Sequence, residues 1–383
     1  MESKYFIKTC ALIATEGSSL SDDFEISGGN PNITYYESVK SPSISVSIDF
    51  IDVDGVISRE GITGGEYLDL KIKVPDFDDF EITPDKHFMM LNSVKNVKTS
   101  SNKQIATLEF ISVEAIINET ARVSRRFTGN VSQIVKELMK DKKSIQTSKN
   151  LETDESFNKY SFVGNLKRPF DTIQWLCPKA ASTDKECGFL FYENLDGYFF
   201  KSIKGLLDAD SSETYEKPEA PVDTDIKITE NNLDSSNDIG MNCRMGMYAN
   251  KTLYVDIENG KIETVDYKIS DLKLAKPPKL PAGLEDAPTR LMLRILDAGA
   301  LQKGSKKEEV EKKSELAVYQ NKSYARTNLL FSQSLSISTP FNPDLRVGQM
   351  IDVVLPVKEG SDQSQTTGGG ENDISGKYLL SEL

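Results

Sequence analysis

Histidine is nearly missing from this 383-residue chain: His87 is the single one. An H-E-x-x-H zinc protease needs two, and no C-x-x-C pair offers zinc a thiolate alternative. A Ser-His-Asp or Cys-His triad would have to be built on His87, which lies in a Pro-Asp-Lys-His stretch that reads as a satisfied or exposed loop position, and there is no G-x-S-x-G elbow. Phosphate cradles are missing too. The nearest approach to a P-loop, Gly370 to Gly376-Lys377, has one residue too many and Tyr378 where Ser or Thr is required. No apolar run approaches the ~18 residues that a spanning helix needs. A secretory leader is not apparent either, since the apolar stretch Ile7–Ala14 is broken by Lys8, Thr9 and Cys10. Basic residues are in deficit: 46 Lys+Arg against 59 Asp+Glu give 46 − 59 = −13, which argues against a duplex-DNA reader. The four cysteines, Cys10, Cys177, Cys187 and Cys243, are scattered. Cys177 and Cys187 could be bridged, and free thiols in a reducing cytoplasm fit the spacing equally well.

Acids are plentiful, so calcium needs a check. Asp52, Asp54 and Gly55 fall at the third, fifth and sixth places of an EF-hand loop, but Phe50 and Gly61 occupy its first and twelfth, so the stretch reads as a turn after a strand. Nothing in the sequence marks a catalytic, cofactor-binding or metal-binding residue.

What is present is pattern. The first 115 residues alternate with period two. Ile44, Val46, Ile48 and Phe50 face one way within Ser43–Phe50, and Leu68, Leu70, Ile72 and Val74 repeat the pattern. Ala106, Leu108 and Phe110 form a third set, and Tyr5–Ile13 reads as a more buried strand. Turn signals punctuate these runs, so an antiparallel barrel or sandwich is predicted. Helical spacing then takes over. Val131, Ile134, Val135, Leu138 and Met139 share a face behind an N-cap at Thr128 or Asn130. A second helix starts near Pro169 with Ile173, Leu176 and Ala180 on one side, and Pro178 shortens it. An aromatic hairpin follows, Gly188–Tyr192 and Tyr198–Phe200 around Asp196-Gly197. Trp175 reads as core.

The acidic stretch Asp208–Asp225 reads as a surface linker. A hairpin with Leu253, Val255 and Ile257 turns at Asn259-Gly260 into Ile262 and Val265. Proline-rich Lys276–Pro288 is extended. Lys306–Leu330 is a helix with Glu308/Lys312 and Glu309/Lys313 pairs and a narrow apolar face of Val310, Ala317 and Tyr324, suited to covering another surface. Strands return at Leu335–Ser338 and Val347–Leu355, and Lys358–Ser375 is a polar, glycine-rich loop. Gly376–Leu383 is a strand with nothing after it to pair back, so an earlier strand, a neighbouring chain or a further stretch of chain must cover its edge.

The late segment is the distinctive one: Ser323-Tyr324-Ala325-Arg326, Leu335-Ser336-Ile337, Asn342-Pro343-Asp344-Leu345-Arg346-Val347-Gly348-Gln349-Met350-Ile351-Asp352, then Ser375-Gly376-Lys377-Tyr378-Leu379. It resembles the last barrel of baseplate hub proteins from contractile-tailed, T-even-like bacteriophages and related injection systems. Phe127-Thr128-Gly129 before the Ile134-Val135 helix, and Arg168-Pro169-Phe170-Asp171 before Trp175 and the aromatic hairpin, fit the same order. The resemblance covers nearly the whole chain and rests on the order of elements.

The fold it implies is mainly β with α+β inserts. Two antiparallel β-barrel domains (1–115, and the discontinuous 211–240 with 328–383) alternate with two smaller α/β domains, 116–210 with the aromatic hairpin and 241–327 with a hairpin and helix. It further implies a non-enzymatic homotrimer in the virion tail, assembled in the host cytoplasm, whose six-barrel ring adapts the tail tube, or a tube-initiator hexamer, to a separate central spike protein. Baseplate wedge proteins are further partners, and DNA passes through the lumen without specific binding; an acidic lumen would repel it. The family's final strand pair after the Gly-Lys-Tyr-Leu segment is not found here. For the trimer and tube interfaces, Ser43–Phe50 and Leu68–Val74 are candidates as edge strands, because paired or covered edges are how β-rings close. The competing readings are a carboxylate-dependent cell-wall hydrolase, which needs two convergent acids in an aromatic-lined cleft, and a carbohydrate-binding tail module.

Overall fold

The computed structural model describes residues 5–53, 55–75, 77–100, 103–218, 228–235, 238–257, 260–272, 283–284, 287–295, 307–356 and 374–383. Strands dominate it. The period-two runs of the first region become β1 (Phe6–Ile13), β2 (Phe24–Glu25), β3 (Asn32–Tyr36), β4 (Ser45–Asp52), β5 (Tyr67–Lys73), β6 (Phe80–Ile82), β7 (Met89–Ser100) and β8 (Lys103–Ser112), with a short helix α1 (Val56–Glu60) between β4 and β5. They form one antiparallel sheet in the order β2-β1-β5-β7-β8-β4-β3, with β6 on β5. The predicted alternation is obeyed: Val46, Ile48 and Phe50, Leu68, Leu70 and Ile72, and Ala106, Leu108 and Phe110 all enter one buried cluster. Strands from both halves of the sheet therefore share a core, so the sheet curls over itself.

The pairing path nevertheless stays open at β2 and β3, and the β5–β7 contact narrows to one pair, Tyr67 with Met90. Register shifts in β7 at Leu91/Ser93 and Lys95/Lys98 bend it away from β5. One expectation is corrected here. Ser43–Phe50 and Leu68–Val74, taken from sequence as edge strands available to partners, lie inside the sheet, β4 between β3 and β8, and β5 between β1 and β7. Alternation reveals which face is buried, not how many neighbours a strand has.

The α/β region follows as α2 (Val113–Thr120), β9 (Arg126–Asn130), α3 (Val131–Lys140), β10 (Leu151–Thr153), β11 (Lys159–Val163), α4 (Pro169–Leu176), β12 (Phe189–Asn194), β13 (Gly197–Ser202) and α5 (Ile203–Asp208). Asn130 is the N-cap of α3, and its backbone N–H donates to the Gln133 side chain at 3.3 Å. Pro169 stands in the first turn of α4, which gives way to a 3-10 turn at Cys177–Lys179 around Pro178. Both helices pack on the aromatic hairpin, where Phe189 stacks on Phe200 at 4.8 Å, Tyr192 on Phe199 at 5.4 Å and Phe191 on Tyr198 at 5.8 Å. Trp175 is half-buried against this core, edge-on to Phe162 at 5.3 Å.

The stretch read as a linker is half strand: β14 (Ser211–Glu216) runs parallel to β20 (Met350–Val354), with β21 (Gly376–Leu379) on its far side. Glu216 faces outward, whereas Glu213 is half-buried on the Tyr215 face and accepts the hydroxyl of buried Tyr215 at 2.6 Å; residues 219–227 lie outside the described set. β15 (Glu230–Ser235) pairs with β19 (Ser334–Ser338). Between them stand α6 (Ile239–Met245) and a three-stranded sheet, β17 (Lys261–Lys268), β16 (Ala249–Asp256) and β18 (Arg290–Ile295), in that order. The Asn259 turn residue, most of the proline-rich stretch and the glycine-rich loop lie outside the described residues.

The predicted long helix, α7 (Lys307–Leu330), lies over β17 and the Cys177–Lys179 turn. Its Ala317 and Ala325 are buried, whereas Val310 and the Glu308/Lys312 and Glu309/Lys313 pairs lie outside the described side chains. Its contact with β16 is polar as well as apolar, because Thr252 and Tyr254 donate their hydroxyls to Asn321 Oδ1 at 3.0 and 3.1 Å. After β21 the chain reaches the first region: Ser381–Leu383 runs antiparallel to Glu37–Val39, with Glu37 and Leu383 exchanging both backbone hydrogen bonds.

Candidate functional site

Two buried carboxylates hold the regions together. Glu37, just after β3, accepts the backbone N–H of Leu195 at 2.7 Å and that of Val347 at 3.0 Å, and Tyr35 donates its hydroxyl to it. One side chain thus binds the first sheet, the tip of the aromatic hairpin and the Asn342–Gly348 turn. Leu195 completes the join by entering the core of the first sheet. Burial pushes the Glu37 carboxyl above its ordinary range despite those donors.

Glu193, on β12, is fully buried and accepts the N–H of Ile44 at 3.0 Å, the hydroxyl of Ser112 at 2.6 Å and the ammonium of Lys149 at 2.6 Å. Lys149 also meets Glu114 at 2.9 Å, and Thr147 donates to Glu114 at 2.6 Å. Burial alone would lower the Lys149 pKa, but the two carboxylates hold it above its ordinary value, while burial raises Glu193. Glu37 and Glu193 each hold three donors and are closed from solvent, so they join elements and are poorly placed to move protons for a substrate.

The clefts carry other acids. One, of about 280 Å³, holds Asp154, Asp196, Tyr192, Phe199, Lys201 and Arg346 among its lining. Asp154 is engaged by the N–H and hydroxyl of Ser202 and by Lys201, and Asp196 pairs with Arg346 at 3.4 Å. Both acids of this cleft are thus engaged by a cation, and the two raised carboxyls of the junctions, Glu37 and Glu193, lie outside its lining. His87 is 5% exposed and its Nδ1 accepts the Thr83 N–H at 3.0 Å; burial, helped by Lys86, pushes its pKa down to about 4, so it is a neutral, satisfied acceptor. The four cysteines are free thiols, which settles the open Cys177/Cys187 alternative, and burial lifts Cys10 and Cys177 to about 12. Asp52 caps α1, accepting from Val56 and Ile57 at 3.0 Å each. Asp54 lies outside the described residues. No group of three or more metal-ligating side chains occurs among the described residues.

What the surface offers is faces. On the β17-β16-β18 sheet the register sets Leu253 beside Leu293 and Val255 beside Ile295 and Ile262. Leu291, Leu293 and Ile295 are 66–71% exposed there. The two-stranded β9–β11 ribbon projects Arg126 and Val163 as an outward pair. At the family-like turn, Gly348 has φ +90°, and a Cβ on it would lie 2.1 Å from the Tyr192 hydroxyl. Only glycine fits there, and the turn docks on the aromatic hairpin because of it. Sequence reasoning missed Glu37 and Glu193. The one signal was an acid inside the aromatic run Phe189–Tyr198, at a position buried from both sides.

No family model and no curated protein matches the sequence. Solved structures do match in shape. The tail protein from Neisseria meningitidis MC58 superposes with a TM-score of 0.51 at 9% identity, over 99% of this chain and 90% of that one. The 43 kDa tail protein of prophage MuSo2 from Shewanella oneidensis gives 0.48 at 8% identity over 98% and 92%, and prophage tail protein gp18 from Listeria monocytogenes gives 0.44 at 7% over 91% and 85%. The chain therefore shares the fold of the Neisseria tail protein over 99% of its length, in agreement with the resemblance carried by its late segment.

Proposed function

We propose that this chain is a structural component of a phage tail, the baseplate hub that joins the tube to the central spike. The observation that carries the reading is end-to-end likeness of fold to a tail protein, at 99% coverage, in a chain whose own order of elements resembles hub proteins. The buried charges act as fasteners between regions, as a load-bearing adapter requires and a catalytic cleft does not. In this reading residues 1–115 and the pair 211–240 with 328–383 are the two barrel-like lobes of each chain, and 116–210 and 241–327 are the inserts that dress them. Three chains then present six similar lobes around a lumen, which matches a six-fold tube on one side and a three-fold spike on the other. Baseplate wedge proteins meet the outside of this ring, the assembled virion tail is its place of action, and DNA leaves through its lumen.

Negative-stain electron microscopy of the purified chain, alone and with its spike partner, tests this directly. Three-fold rings with six lobes around an open lumen are expected. Particles that remain monomeric with the spike present would overturn the trimeric hub, and release of sugars from peptidoglycan by the purified chain would replace it with the hydrolase reading.

A further inference from the structure

The β9–β11 ribbon breaks the charge pattern of the chain. Residues 121–130 and 159–168 contain six bases, Arg122, Arg125, Arg126, Lys159, Lys167 and Arg168, and no acid, so the rest of the chain carries 40 − 59 = −19. The two segments form a single antiparallel ribbon. Phe127 and Phe162 point into the core and stack at 5.5 Å, so Arg126 and Val163 face outward as a cross-strand pair. Val163 and Leu166 are 56% and 65% exposed. Part of the charge is met at home, since Arg125 pairs with Asp141 at 2.9 Å and Arg168 with Glu119 at 2.8 Å. Arg126 bonds only the Ser161 hydroxyl, Lys167 lies over Trp175, and Arg122 donates to backbone carbonyls. Among the described residues no carboxylate pairs with Arg122, Arg126, Lys159 or Lys167. The ribbon is an apolar-centred, cationic sheet face whose charge is, among the described residues, only partly met by carboxylates.

We propose that this ribbon is the positive half of the contact between neighbouring copies, and that it docks on an acidic face of the next chain. This rests on the trimeric ring proposed above. Two-fold contacts bring a patch against itself, which six bases would oppose, but a three-fold ring can be closed only by heterologous contacts, in which each patch meets a different one. The rest of the neighbouring chain, at −19, is the complementary surface. Val163 and Leu166 supply the desolvated centre, and Arg126, Lys159 and Lys167 the charged rim.

The test is the oligomeric state of the full chain by sedimentation at low and high salt. As ionic strength rises from about 0.1 M to about 1 M the Debye length falls from ~10 Å to ~3 Å, so the trimer should dissociate progressively. Arg126→Glu with Lys159→Glu should weaken association by about tenfold or more while the circular dichroism spectrum stays unchanged, and Arg126→Lys with Lys159→Arg should restore it. A trimer indifferent to salt and to the charge reversals overturns this contact and leaves the hub standing. A chain that is monomeric under every condition, spike included, removes both. Retention of short duplex DNA by the wild type, lost in the reversed variant with the trimer intact, would make the ribbon a nucleic-acid surface and also overturn the proposal.

Discussion

The first sheet and the last differ in what holds them. The β1–β8 sheet buries a cluster of 23 side chains, whereas the described strands β14, β20 and β21 gather five around Tyr215, Ile351 and Val353. Among the described residues the smaller cluster is also tied to the rest of the chain by Glu37 binding Val347 and by Ser381–Leu383 running against Glu37–Val39. Hydrophobic burial is roughly proportional to area, so these directional contacts carry a larger share of what holds the described part of the last sheet.

The sharpest way to break the comparison is at the other join. Lys149→Met removes the cation between Glu114 and Glu193 and should cost about 3–5 kcal/mol, because two buried carboxylates are left facing each other. Urea denaturation reads the loss, and adding Glu114→Gln and Glu193→Gln should return much of it. Next come matched cavities. Ile48→Ala in the large core should fall toward the top of the ~2–5 kcal/mol range for such truncations and Ile351→Ala toward the bottom, because the smaller cluster can collapse around the gap. Equal losses would mean that the last sheet is as tightly packed as the first. Glu37→Leu should cost about 1–3 kcal/mol for the donors it strands. In hydrogen exchange the loss should appear as faster opening of β20 and β21, with β4 and β8 unaffected.

These differences were only half legible in the sequence. Alternation at Ser43–Phe50, the Asn130 cap and the Pro169 helix start are local rules, and each appears where it was read. Glu37 and Glu193 obey no local rule. Apart from Tyr35, two residues before Glu37, their donors lie 158 and 310 residues away for Glu37, and 44, 81 and 149 away for Glu193, so only the folded chain brings them together. The same blindness put β4 and β5 at edges, since side-chain period is a property of one strand and neighbourhood a property of the sheet. Acidic Ser211–Glu216 passed for a linker because Tyr215 is its one apolar side chain, so no period-two pattern marks it as a strand.

His87 separates the regions by pH. Its folded pKa of about 4 lies below the ordinary 6.5, so between those values the unfolded chain binds the extra proton. Stability contributed by this group is present in full above pH 6.5 and is lost as pH falls toward 4, by at most about 3 kcal/mol. Glu37 and Glu193, whose pKa values are raised, act in the opposite sense, their contribution being lost as pH rises. The comparison of wild type with His87→Gln isolates the histidine: the variant's melting temperature should fall less between pH 6.5 and 4.

The smallest effect belongs to the one ion pair across the Ser381–Leu383 join. Lys40 meets Glu382 at 3.2 Å with both side chains about half exposed, and exposed pairs of this kind contribute roughly 0–1 kcal/mol. Glu382→Ala should therefore move stability by less than about 1 kcal/mol, and the shift should vanish in high salt. The backbone carries this join: Val39 donates to Ser381 at 2.9 Å, and Glu37 and Leu383 donate to each other at 3.2 and 3.0 Å. Leu383 also packs beside Val39, Tyr192 and Val347. Leu383→Asp should consequently destabilise more than Glu382→Ala, although it touches no ion pair. If the order were reversed, charge and not strand pairing would be holding the last region to the first.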